Sequence, residues 1–171
     1  MPQFTKDHMF GIKWKFNKGF TIVEILVVMF VIVSTFAAIL GFFSLDIRVS
    51  ERNRMRLQAL SLVEEAIEAV RSFGNVNSWQ NGIGGLAIGA EYHPIVIGSI
   101  WNIVSESENI NNFNRKIIIS PVSRDNEDNI ENTYNPANND PNTRKISVIV
   151  SWADRIGLAS ESIGAYLTNW K

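Results

Sequence analysis

Apolar residues follow three regimes along this chain. From Phe20 to Leu45 the sequence FTIVEILVVMFVIVSTFAAILGFFSL is greasy on every side, and Ile25–Phe43 is nineteen residues without charge or proline. A helix rises about 1.5 Å per residue and bilayer hydrocarbon is about 30 Å thick, so ~20 such residues span it. A core helix this uniformly apolar would need more apolar surface around it than the rest of the chain offers. The second regime has a 3.6-residue period. Leu60, Val63, Ala66, Ile67, Val70 and Phe73 share one face, while Glu64, Glu65, Glu68 and Arg71 occupy the other. Gly74-Asn75 is a plausible C-cap, and no proline falls between residues 20 and 74, so one helix of about 54 residues is expected. Its apolar second half needs a partner.

The third regime supplies one. Tyr92–Ile97, Ile100–Val104, Lys116–Ser120, Ile146–Trp152 and Ser162–Leu167 are rich in β-branched and aromatic residues and predict strands. Short connections favour an antiparallel meander. Asp125–Thr143, dominated by Asn, Asp, Glu and Pro, predicts a long surface loop. The expected fold class is α+β: a long N-terminal helix, transmembrane over 20–45 and amphipathic over 46–74, packed on an antiparallel β-sheet within 75–171.

Charge sharpens this picture. Lys6, Lys13, Lys15 and Lys18 against Asp7 give residues 1–19 about +3, so the net −1 of the chain leaves about −4 for the remainder. That balance argues against a nucleic-acid partner held by bulk electrostatics. The 171 residues contain no cysteine, which excludes disulfides, thiol nucleophiles and Cys-ligated metal. With only His8 and His93 as histidines and no persuasive triad or HExxH pattern, the sequence points away from catalysis.

The apolar run does not fit an ordinary secretory signal, which has ~7–15 apolar residues and then a small-residue cleavage site. Here Phe42, Phe43 and Leu45 close the run. The start of the run is more informative. A carboxylate at Glu24 costs up to about +2.5 to +3.5 kcal/mol in a membrane, less near the interface, and asks for a cationic partner.

Lys18-Gly19-Phe20-Thr21-Ile22-Val23-Glu24, followed by the apolar run, resembles the cleavage and methylation motif of type IV prepilins and type II secretion pseudopilins. Leu62–Arg71 is similar to the end of the long helix in small minor pilins. Val148–Trp152 and Ala165–Trp170 resemble the last strands of minor pilins of the pilus-modification type. The resemblance implies a pilin-like fold and a cytoplasmic leader, residues 1–19, cut between Gly19 and Phe20 by a membrane-embedded prepilin peptidase. It implies N-methylation of the Phe20 amine, and Glu24 facing that amine on a neighbouring subunit. Attraction between the two would be strong in low dielectric and would set the stagger between subunits.

The implied partners are the peptidase, other pilin or pseudopilin subunits and inner-membrane lipid. The implied location is the inner membrane as a single-pass protein with the C-terminal domain outside, and then a surface filament. Pseudopilins of secretion systems, and a signal-anchored domain that never polymerises, remain alternatives. The leader is long for the family, and a start at Met9 would shorten it to residues 9–19.

Other motifs carry less. Gly82-Ile83-Gly84-Gly85-Leu86-Ala87 fits a dinucleotide pattern on paper, but polar, turn-like residues precede it where a strand is required, and a flexible helix-to-sheet connection is the better expectation. Asp125, Glu127, Asp128, Glu131 and Asp140 offer oxygen ligands for Ca²⁺ without EF-hand spacing; a solvated loop is the default. Arg48, Arg52, Arg54 and Arg56 could meet lipid headgroups or DNA, but read first as a solvated helix face. Trp101, Trp152, Tyr166 and Trp170 are expected to pack sheet against helix, and His93 to be structural.

Overall fold

The computed structural model describes residues 19, 21–155 and 157–170. The chain divides into two compact units, residues 1–47 and 48–171. One helix, α1 (Ile22–Val76), contributes to both.

In the first unit α1 begins at a Thr21 cap: the Glu24 backbone N–H donates to the Thr21 Oγ1 at 3.3 Å and to its carbonyl at 3.0 Å. Every described residue from Gly19 to Ile47 is exposed, including Phe30, Phe36 and Phe42. The apolar stretch is therefore long enough to cross a membrane and does not bury itself.

In the second unit the amphipathic half of α1 buries Ala59, Val63, Ala66, Ile67, Ala69, Val70 and Phe73. The stripe is the predicted one with Ala59 and Ala69 added and Leu60 at its half-buried margin. The helix runs to Val76, past the expected Gly74-Asn75 stop. Asn77 ends it instead: its backbone N–H and its Nδ2 both donate to the Phe73 carbonyl, at 3.2 and 2.9 Å. Gly74 sits inside the last turn, where an added Cβ would meet Ile83 at 3.4 Å.

Six strands form one antiparallel sheet: β1 (Glu91–Ile97), β2 (Ile100–Ser105), β3 (Glu108–Ile110), β4 (Phe113–Ser123), β5 (Asn139–Asp154) and β6 (Gly157–Thr168). The order is β2-β1-β4-β5-β6, with β3 also against β4. This departs from a simple meander, because β1 rather than β2 lies beside β4 and shares that side of it with β3. The predicted strands are all present, but β4, β5 and β6 are longer. β5 begins at Asn139, so Asn139–Thr143 are strand and not loop, and Thr143 is fully buried. A register shift at Pro121/Val122 lets β5 pair on both sides of Pro141–Thr143.

Alternation explains the core. Tyr92, Phe113, Ile117, Ile119, Ile146, Val148, Val150 and Trp152 face the helix and are buried with Val63, Ile67, Val70 and Phe73. Burying each such side chain is worth about 1.5–3 kcal/mol. Phe113 and Trp152, directly opposite across β4 and β5, meet with ring centroids 5.8 Å apart.

The segment between helix and sheet is a folded turn, not a flexible connection. Ile83–Gly85 is one turn of 3-10 helix, and Ile83 is buried. Trp79 lies over Gly84, where a Cβ would come within 2.3 Å of the indole nitrogen; a Cβ on Gly85 would lie 2.1 Å from the Gln80 carbonyl. These close approaches, rather than a phosphate, account for the glycines of the Gly82–Ala87 stretch.

Candidate functional site

Of the two residues expected to flank the cleavage, Gly19 stands just before α1. Gly19 is exposed and outside regular structure, with nothing within 4 Å of where a Cβ would stand. Phe20 lies outside the described residues, as does the expected leader up to Lys18. Glu24 is exposed in the first turn of the helix, and among the described residues its carboxylate makes no hydrogen bond or ion pair.

Thr21-Ile22-Val23-Glu24 is also a T-x-x-E sequence with Thr21 at the N-cap and Glu24 at the third helical position. That pattern was legible in the sequence and gives Glu24 a local use, favourable interaction with the helix N-terminus, that needs no partner in another subunit.

The acidic loop does not converge on a cation position. Arg124 takes its centre: Nε donates to Asp140 Oδ2 at 2.8 Å, Nη1 to the Asp128 carbonyl at 2.8 Å, and Nη2 to Thr143 Oγ1 at 3.4 Å. Asp125 instead closes its own turn, accepting from the backbone N–H groups of Glu127 and Asn129, each at 2.9 Å. Glu131 accepts from Asn138 Nδ2 at 3.1 Å. No group of three or more metal-ligating side chains occurs among the described residues.

Electrostatics follow the hydrogen bonds. The Asn129 backbone N–H holds the Asp125 carboxyl below its usual range. Burial pushes Asp140 up, but the Thr143 hydroxyl, Arg124 and the Asn142 N–H together outweigh it and hold this carboxyl low. Arg124 is raised in turn by Asp140.

Two charged features were not foreseen. Arg115, on the helix-facing side of β4, is only 3% exposed and joins three elements. Its Nε donates to Glu108 of β3 at 2.7 Å, while Nη1 reaches the Leu62 carbonyl of α1 at 3.2 Å and Glu65 at 3.3 Å. A lone Arg at a core-phased position of a strand was the available signal. The second feature is the pairing of the helix arginines with the β5–β6 hairpin. Arg52 meets Asp154 at 3.1 Å and Arg56 meets Glu161 at 2.7 Å, so this face is tied to the sheet and not simply solvated.

The aromatic expectation holds for Trp152 and fails for Trp170, which is 87% exposed. Trp170 and the exposed Tyr166 line a groove of about 420 Å³ at the end of α1, with Arg71, Trp79 and Ile83. His93 is structural in the expected sense, with Nδ1 at 3.0 Å from the Glu106 carbonyl.

No protein-family model, curated protein or solved structure matches the chain.

Proposed function

We propose that this protein is a pilin-like structural subunit, minor pilin in character, of a type IV pilus or related filament. The single observation that carries the reading is the Lys18–Glu24 motif standing at the head of an apolar helix that stays wholly exposed while the same helix, further on, buries its face on an antiparallel sheet. An exposed apolar helix of this length requires lipid or other helices around it. Lipid first and neighbouring subunits afterwards would satisfy both needs in turn. Accessible backbone at Gly19 suits entry into a peptidase cleft, and Glu24, without a partner among the described residues, is available to the amine of Phe20 on the next subunit. A type II secretion pseudopilus would use the same parts.

The T-x-x-E arrangement at Thr21–Glu24 favours a second reading, a signal-anchored domain that does not polymerise, because it gives Glu24 a role without any neighbour. Glu24→Val separates the two. Assembly predicts an unchanged amount of subunit in the membrane and at least a tenfold loss, on the order of 1.4 kcal/mol, from the sheared or sedimented filament fraction. Equal recovery of Glu24→Val and wild type in that fraction would sink the assembly role of Glu24.

A further inference from the structure

At the start of the second unit, α1 and the β5–β6 hairpin enclose a groove of about 560 Å³ lined by Arg48, Glu51, Arg52, Arg54, Asp154 and Arg155, with Trp152 among its walls. The two acids are engaged: Arg52 holds Asp154 at 3.1 Å and Arg155 approaches Glu51 at 3.9 Å. Arg48 and Arg54 are exposed and make no ion pair among the described residues. The groove thus carries four guanidinium groups against two carboxylates, with two of the cations unspent.

Its place in the chain says what covers it. Exposed apolar side chains continue past the uncharged run through Leu45, Ile47 and Val49, so Arg48–Arg54 straddle the point where greasy helix gives way to polar helix. Five residues past Val49 a helix has risen only about 7.5 Å, comparable with the headgroup layer on one side of a bilayer. Guanidinium groups there match phosphate in charge and in fork geometry. Two free cations beside two acids are few for duplex DNA, whose binding draws on many phosphates.

We infer that this groove is a binding site for the phosphate of an anionic phospholipid headgroup, holding the β5–β6 end of the domain to the membrane while the subunit resides there. The inference rests on the reading that the apolar helix crosses a bilayer. It does not depend on which side the domain faces, because the leaflet concerned is the one that meets the C-terminal end of the span.

The test reconstitutes the full chain in vesicles of phosphatidylcholine and phosphatidylglycerol in equal amounts. Vesicle flotation reports insertion, and native mass spectrometry after detergent extraction reports the lipids retained. Wild type retains phosphatidylglycerol preferentially. Arg48→Gln/Arg54→Gln floats equally well but loses that preference by about fivefold per arginine, whereas Arg48→Lys/Arg54→Lys keeps most of it.

Equal preference in the Gln variant assigns the retained lipid to the span and overturns the site. So does displacement of the lipid by millimolar inorganic phosphate, or capture of duplex DNA by wild type but not by the Gln variant. A chain that floats with no vesicle overturns the membrane reading itself, and the site with it.

Discussion

At the scale of single residues, the most consequential side chain is a charged one at a core-phased position of a strand. Arg115 is buried, and its positive charge is tolerable because Glu108, Glu65 and the Leu62 carbonyl surround it. Removing it leaves carboxylates and a carbonyl facing a void. Arg115→Ala is expected to lower stability by about 3–5 kcal/mol, the usual cost of breaking a buried pair. Arg115→Met, which keeps the apolar stem, should cost less, because Glu108 and Glu65 retain some access to water. Chemical denaturation of the full chain in detergent, followed by near-UV circular dichroism, would reveal either outcome; a wild-type midpoint for Arg115→Ala would refute the bridging role. Glu24 differs in kind. Its sequence context announces it, and among the described residues its carboxylate has no partner.

At the scale of elements, the connection between β4 and β5 is organised by charge and not by apolar burial. Asp140 is held ionised below its usual range, so its contribution is present above the unfolded value of about 3.9 and is lost as pH falls through the lower folded value. Asp140→Asn should therefore be less stable than wild type at pH 6, by about 1.5–3 kcal/mol for a hydrogen bond to a charged group. The difference should close well below pH 4, where the wild-type carboxyl also protonates. Thermal unfolding of the two proteins across pH 2–6 checks this, and a gap independent of pH would contradict it.

The same connection shows why some elements were legible and others were not. α1 could be read because its two halves have different and strongly marked patterns, apolar all round and then one-sided. The interiors of β4 and β5 could be read from alternation. Asn139–Thr143 could not: these residues are polar, and they are strand because the register shift at Pro121 and the Arg124 hub hold them against β4. β3 is three residues long and is fixed by Glu108 reaching Arg115, a contact with no local signature. The helix stop was misplaced because Asn77, rather than the more obvious Gly74, caps the Phe73 carbonyl.

At the scale of the whole molecule, the two units make opposite demands on their surroundings. The first exposes Ile22–Ile47 with no buried residue, and the second closes a core between α1 and the sheet. A chain with only the second property would be an ordinary α+β domain. The first property, headed by Lys18-Gly19-Phe20 and Glu24, is what makes filament assembly the central claim. The candidate site was legible because it is a linear motif. The arginine groove was not, because Arg155 joins Arg48–Arg54 only when the β5–β6 hairpin folds against the helix.

The claim meets its most direct test in the N-terminus of the mature protein. The chain would be recovered from membranes of a cell that has a prepilin peptidase, and its intact mass and N-terminal sequence determined. Assembly by the pilin route predicts a chain that begins at N-methylated Phe20, with residues 1–19 removed. A chain that still begins at Met1 or Met9 would contradict it and leave a membrane-anchored domain in its place.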